Sequence, residues 1–475
     1  MVSTKVIAII AVAVVVVAGV GVGAYALMNS NKDNTERVDT ALPVYGNANN
    51  DTEINSKDVD LIQEIIDEKK EFKDYPMADA NNDGKVDSAD VDKVNAIIDK
   101  TAGKVYVQCL DKSGKVVAKE VAYPVKNIVI IGTNMVPVAA NAGAVSAMAG
   151  WFEGTDYANC NKPMEKVTSF GNPGRNPIDN DQWKKFTDKD AELKSTTGTG
   201  IQAFFVDHSL GKAVTDEIRA DLAEAGIPEI RLSVADPYLD ISSAMMLGFL
   251  IGGETEKTAR KYAEESFDVL TKIKSKLSGL SDEDKKTYIG ITMSNYVCQN
   301  DSTFGMIGTY VSGIRYCDVN SDFKETYKGT GSTVMSSTEA LSNYAVKSKL
   351  GEKRGIEFIF SNRSVDFKVG ADGKNAEIVS EWEKKCSAGA KGKTIDYFKN
   401  LDNCYENLWY INNLLPGACK LAYAAAAMYP DLYSMDDANK VLENFASFCP
   451  TLDGVTVENT NACWGYNDYV AAKGA

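Results

Sequence analysis

A single histidine, His208, stands among 475 residues. A multi-histidine transition-metal centre therefore cannot be assembled from this chain, and a Ser/His/Asp triad would have to use that one ring. Arginine is also scarce, eight in all, and the formal net charge of −15 with a sequence pI near 4.8 argues against nucleic acid or an anionic membrane surface as the main partner. No C-x-x-C pair occurs among Cys109, Cys160, Cys298, Cys317, Cys386, Cys404, Cys419, Cys449 and Cys463, which removes zinc ribbons and thioredoxin-like motifs. Nine is odd, so a monomer leaves one thiol unpaired. Bridges at Cys298/Cys317 or within the group Cys386 to Cys463, and free buried thiols, both fit the pattern. No G-x-S-x-G nucleophile motif appears. What is there is 44% hydrophobic, an ordinary globular composition with room for two or three domains.

The one long apolar run comes first. Val6 to Met28 is uncharged, follows Lys5 and precedes a polar stretch from Asn29 to Asn34. Such a segment is membrane-directed. Ala24-Tyr25-Ala26 would serve as a small-x-small cleavage site, but the run exceeds the roughly 7–15 residues of a signal core, which favours a retained single-pass anchor with the remainder extracellular. No Cys follows it to carry a lipid.

The most specific motif occurs twice. Asp79, Asn81, Asp83, Asp87 and Asp90 place oxygen side chains at positions 1, 3, 5, 9 and 12 of a twelve-residue loop, Gly84 stands at the sharp turn and Lys85 offers its carbonyl at position 7. That is the spacing a calcium ion with six to eight oxygen ligands needs. Thirty-two residues earlier, Asn47, Asn49, Asp51, Glu53, Asn55 and Asp58 repeat it with Asn at position 1 and Thr52 where Gly is usual, so its affinity should be lower. Helices are expected after each loop, at Val59–Ile66 and Val91–Ile98.

From Lys104 the texture becomes α/β. A hairpin (Val105 to Val121), a buried-looking strand at Ile128–Ile131, a short helix and a strand ending at Trp151 form a βαβ opening. Residues 168–199, rich in Gly, Asn, Pro and Lys, read as an extended loop. Strands at 203–206 and 230–234 alternate with helices at 213–225 and 241–250. Glu254 to Leu277 then contains no Gly or Pro and sets Ala259, Tyr262, Ala263, Phe267, Leu270, Ile273 and Leu277 at three- and four-residue steps. One amphipathic helix of roughly 36 Å is expected. Alternation resumes after it, with strands near 288–293 and 356–360 and helices at 302–312, 418–429 and 435–448.

Two resemblances follow. The paired loops, each running into a helix with Asp at position 12, resemble a type I dockerin over about residues 44–101. This implies structural calcium and, through Ser56-Lys57 and Ser88-Ala89, a cohesin partner. Residues 104–450 resemble the helical-backbone class of ABC-importer substrate-binding proteins, which handle ferric siderophores, haem and cobalamin. The resemblance rests on GKVVAKEVAYPVKNIVIIGTNMVPVAANAGAVSAMAGW, which is Lys115 to Trp151 with the preceding Gly114, on the EAGIP turn, MMLGFLIGG and the long helix in Leu222 to Leu277, and on LPGACKLAYAAAAMYPDLY from Leu415. Long insertions between Val319 and Gly355 and between Phe367 and Ile395 depart from it.

The implied architecture is α/β, with two Rossmann-like lobes joined by a long spine helix, after a small all-α calcium module and an N-terminal membrane helix. Its boundaries are 1–28 anchor, 29–44 linker, 45–101 calcium module, 104–253 first lobe, 254–278 spine and 279–475 second lobe. It implies an ABC permease partner, and a metal chelate, haem or corrinoid held in a cleft between lobes at the carboxyl ends of strands. Candidates there are Asn134, His208, Tyr296 and Trp409, with Asn412 and with Arg175, Arg315 and Arg363 to pair an anionic ligand. Tyr310 and Trp183 are further stacking candidates. Surface ion pairs, core packing and turn caps are the competing roles for these residues. Relatives that take bare manganese or zinc use several histidines, which this chain lacks. The rival readings are a dockerin-bearing glycosidase, which needs only two carboxylates, and a non-catalytic adhesion or scaffold protein.

Overall fold

The computed structural model describes residues 40–153, 162–174, 176–234, 236–291, 296–298, 303–319, 332–334, 357–363, 408–468 and 471. The apolar run at 6–28, the insertion between Phe367 and Ile395, and all of the insertion between Val319 and Gly355 except residues 332–334 lie outside them. Among the described residues no helix is long and apolar enough to cross a membrane. The chain divides into two compact units, one taking Met1–Asp156, Pro163–Val234 and Leu239–Asp268, the other Tyr157–Lys162, Ala235–Tyr238 and Val269–Ala475.

The first unit begins with two helices, α1 (Ser56–Ile66) and α2 (Ser88–Ile98). Each starts three residues earlier than expected. The reason is a capping box: Asn55 and Asp87 accept the N3 amide while Asp58 and Asp90 reach back to the cap amide. Ala48, Ile62, Ile65, Ala78, Ala80 and Val94 form the small core between them. The segment before α1 is stitched to the sheet that follows. Tyr45 N–H donates to the Tyr106 carbonyl at 2.9 Å, and Gln108 N–H to the Pro43 carbonyl at 2.9 Å.

Strands β1 (Gly103–Leu110) and β2 (Val116–Tyr123) make the expected hairpin in full antiparallel register. They continue a six-stranded sheet with β3 (Ile128–Ile131), β4 (Met148–Phe152), β5 (Ala203–Asp207) and β6 (Glu229–Leu232), in the order β2-β1-β6-β5-β3-β4. The β6-β5-β3-β4 part is parallel, and at its centre β3 and the Ala203–Val206 run of β5 are apolar and buried on both faces. Helix α3 (Met135–Asn141) links β3 towards β4.

Residues 168–199 are not a loop throughout. Asn180–Thr197 is an eighteen-residue helix, α4, opened by a capping box between Asp179 and Gln182 and closed by Gly198 at φ 74°. Its polar sequence hides a narrow apolar side. Trp183 stacks on Phe186 at 4.4 Å, and Phe186 packs edge-on to Phe204 of β5. Trp183 also donates from Nε1 to Asp221 Oδ2 at 2.8 Å, so this ring is a packing residue. Asp221 belongs to α5 (Asp216–Glu224).

Helix α6 (Leu239–Ile251) is apolar and buried on nearly every side. Gly252 and Gly253 follow at φ 78° and 63°, a left-handed pair that turns the chain into α7, Gly253–Leu277. The seven stripe residues of α7 are each 2% exposed or less. Its residues up to Asp268 belong to the first unit and the rest to the second.

The second unit carries β7 (Thr287–Ile291), β8 (Tyr296–Cys298), β9 (Ile314–Arg315), β10 (Ser332–Val334), β11 (Phe358–Arg363), β12 (Leu408–Asn412) and β13 (Cys463–Trp464). The order is β10-β8-β7-β11-β12-β13, with β9 beside β7. Its centre, β7-β11-β12, is parallel. Helices α8 (Thr303–Tyr310), α9 (Tyr316–Val319), α10 (Gly417–Met428) and α11 (Met435–Ala446) complete it, α10 being buried along its whole length.

Candidate functional site

The two twelve-residue loops share one hydrogen-bond skeleton, repeated at an offset of thirty-two. Asn49 and Asn81 N–H donate to Oδ1 of Asp58 and Asp90 at 3.1 and 3.2 Å, and Asn55 and Asp87 N–H to Oδ2 of the same carboxylates, both at 2.9 Å. Asp51 and Asp83 N–H donate to Asn49 and Asn81 Oδ1. Glu53 and Lys85 N–H donate in turn to Asp51 and Asp83 Oδ1. Asn50 and Asn82 hold the same left-handed conformation at φ 61° and 54°. Short oxygen-bearing side chains that bond amides two residues on are what fold so polar a segment into a tight loop.

They differ at position 1. Asp79 accepts from Asp83 and Gly84 N–H at 3.0 and 2.8 Å. Asn47 donates instead, from Nδ2 to the Leu42 and Asp51 carbonyls at 2.9 and 2.8 Å. Its Oδ1 is buried without a hydrogen-bond partner, an orphan acceptor at the place where a cation ligand is needed. Asp58 is fully buried, and burial pushes its carboxyl up to about 6. Among the described residues no three His, Cys, Asp or Glu side chains are gathered closely enough to hold a metal. The donor sets are mixed, with Asn and main-chain oxygens beside the carboxylates, which suits a hard, oxygen-seeking ion.

The other candidates lie on the α/β units. Asn134 and His208 fall at the carboxyl ends of neighbouring parallel strands, β3 and β5, with Asp207 beside them. Asp207 is 1% exposed; Ser209 donates to its Oδ1 from both Oγ and N–H, at 2.7 and 2.9 Å. Burial raises its carboxyl despite these bonds and one from the Asn134 amide. His208 is half-buried, and burial followed by the Arg231 charge push its imidazole below the ordinary value, so the ring is neutral at pH 7. It borders an open hollow of about 500 Å³ with Lys112, Lys212, Asp216, Arg219 and Arg231.

In the second unit Asn412 is buried at the end of β12 and accepts from Leu414 N–H at 3.0 Å, a turn cap. Trp409 borders a hollow of about 290 Å³ with Gly465, Tyr466, Asn467 and Asp468. Arg315 pairs with Asp318 three residues on, at 2.9 Å, an exposed salt bridge. Tyr310 donates to Asp236 Oδ2 at 2.5 Å and meets the Tyr238 ring edge-on. Arg175 and the side chains of Tyr296 and Arg363 lie outside the described residues. Cys109 and Cys463 carry free thiols, and burial pushes Cys109 up to about 12.

No family model matches the sequence, and no curated protein matches it either. The described architecture nevertheless has solved counterparts. The TroA-like periplasmic binding protein FepB from Veillonella parvula aligns with a TM-score of 0.51 at 14% identity, over 75% of this chain and 99% of that one. The chain has the TroA-like fold. MolA, the molybdate periplasmic binding protein of a Haemophilus influenzae ABC transporter, aligns at 0.49 and 10% identity over 72% and 97%. CeuE of Helicobacter pylori, in a nickel–histidine complex, aligns at 0.47 and 13% over 74% and 98%.

Within that TroA-like fold the structure gathers Asn134 and His208 on one strand edge. Asp207, which with His208 makes the strand-end loop expected at the cleft, closes the apolar run Ala203–Val206.

Proposed function

We propose that this chain is a surface-anchored substrate-binding protein of an ABC importer, which captures a complexed metal or tetrapyrrole-type ligand and hands it to a permease. The observation that carries the reading is the TroA-like fold itself, shared with FepB along nearly the whole of that protein. The sequence narrows the ligand. With one histidine in the chain, coordination by the protein alone is poorly supplied, whereas a ligand that brings its own metal donors needs only recognition of its outer surface. Asn134, His208 and the exposed Lys212 suit the rim of a ligand bearing carboxylate or catecholate oxygens, while Lys112, Arg219 and Arg231 are held in ion pairs with Asp216 and Glu229.

The same proposal gives the paired loops structural calcium and reads them as a dockerin-like module. Asp79, Asn81, Asp83, Asp87 and Asp90 with the Lys85 carbonyl would hold one ion. Asn47, Asn49, Asp51, Asn55 and Asp58 with the Glu53 carbonyl would hold a second. Bound calcium would neutralise carboxylates that now face one another across each loop. Ser56, Lys57, Ser88 and Ala89 are exposed, as contact with a cohesin requires. The apolar segment at 6–28 would keep the receptor beside its permease.

Titration of the purified protein with ferric siderophores, haem and corrinoids, followed by intrinsic fluorescence, tests the binding reading. A saturable change with at least one class is expected. Silence with all of them, together with sugar release from a polysaccharide, would replace it with a hydrolase.

A further inference from the structure

The two calcium loops differ in their surroundings more than in their skeletons. Glu53, at position 7 of the first loop, forms an ion pair with Arg260, two turns into α7 and more than two hundred residues away in sequence. The same guanidinium reaches Glu256 Oε1 at 3.4 Å, and Lys100, just beyond α2, reaches Glu256 Oε2 at 3.5 Å. The first loop therefore lies against the long helix. The second loop has no such neighbour: among the described residues none of Asp79, Asp83, Lys85, Asp87 or Asp90 is ion-paired. The backbone stitching at Pro43–Tyr45 and the bond from Lys93 Nζ to the Lys104 carbonyl at 2.7 Å hold the module in place around this contact.

We infer that Arg260 sets the calcium affinity of the first loop, keeping it below that of the second and linking its occupancy to the long helix. The inference rests on the calcium reading of the loops given above. The first loop carries three acids, Asp51, Glu53 and Asp58, and Arg260 cancels Glu53. The second carries four acids, Asp79, Asp83, Asp87 and Asp90, against the one cation Lys85. A divalent ion entering the first loop also meets the fixed positive charge of Arg260, held against Glu53 at position 7. A unit charge several ångströms from a divalent ion in a largely hydrated setting changes affinity by about three- to tenfold. Position 1 adds to this, since Asn47 brings no charge to the ion. Coupling is reciprocal: whatever Arg260 does to the ion, the ion does to the hold of Arg260 on the loop.

The test is calcium calorimetry on the full-length protein in detergent, with Asp79→Ala plus Asp83→Ala as the background in which the first loop is read alone. Arg260→Gln is expected to tighten the weaker site about three- to tenfold and leave the tighter one unchanged, while Arg260→Lys keeps wild-type behaviour. Glu53→Gln, which removes the partner and leaves the cation, is expected to weaken the first site. These opposite signs keep the test decisive if one variant folds poorly. An unchanged or weakened first site in Arg260→Gln overturns the inference while the calcium reading stands. No calcium heat in the wild type overturns both.

Discussion

Asp207 occupies the space in front of Gly132. A Cβ on Gly132 would lie 2.2 Å from the Cβ of Asp207, and Gly132 holds φ at 140°, which only glycine adopts freely. Gly132→Ala should lower stability by about 2 kcal/mol or more, summing backbone strain and overpacking. Denaturant unfolding measures it. Asp207→Ala should not rescue the variant, because the nearest atom is the Cβ that alanine retains. An unaltered midpoint in Gly132→Ala would show that the two strand ends are not packed this closely.

The same carboxylate gives a pH dependence with a definite sign. Burial raises the Asp207 pKa in the folded protein, so the folded state holds its proton where the unfolded chain has lost it. Its contribution is therefore fully present below the ordinary carboxylate value and is lost as pH rises through the raised one. Asp207→Asn, which stays neutral, should flatten that part of the stability profile and make the protein relatively more stable at pH 7 than at pH 4. Thermal midpoints of the two proteins across pH 3–8 check this. An identical slope in both would assign the dependence to other groups.

Elements with a strong period were legible in the sequence: the seven-residue stripe of α7, the β1–β2 hairpin and the buried strands β3 and β5. Helix α4 was not, because its apolar side is little more than Trp183 and Phe186 and its remaining residues are those of a loop. The starts of α1 and α2 were misplaced for a local reason: capping boxes recruit the loop's own last residues as the first helical turn. The paired twelve-residue loops were legible as a repeat because their oxygen-bearing side chains recur at the same spacing. The Arg260–Glu53 contact was not, since nothing local to either residue reports a partner so distant in sequence.

Calcium should stabilise the protein through the second loop above all. Asp79 accepts two loop amides and Asp83 one, so Asp79→Ala with Asp83→Ala removes both ligands and skeleton. In the wild type, calcium in hundredfold excess over its dissociation constant should add about 2.7 kcal/mol, seen as a raised melting temperature that chelator reverses. The double variant should lose most of that rise. If chelator leaves the wild-type melt unmoved, the loops are not calcium sites.

The turn between α6 and α7 sets two magnitudes against each other. A Cβ on Gly248 of α6 would lie 2.3 Å from the Ala259 Cβ of α7, 3.1 Å from the Thr255 carbonyl oxygen and 3.3 Å from the Glu256 Cα. Two of these three atoms are backbone, so no side-chain rotation relieves the contact. Helix propensity alone predicts that Gly248→Ala stabilises by about 1 kcal/mol, whereas overpacking between helices costs about 1–3 kcal/mol. With backbone in the way the second effect should win, and Gly248→Ala should lower stability on balance. Ala259→Gly removes the nearest atom, so combining the two changes should lose less than the sum of their separate effects, a positive coupling that a double-mutant cycle in denaturant measures. A stabilised single variant with additive behaviour in the pair would mean that α6 and α7 stand further apart at Gly248 than the structure places them.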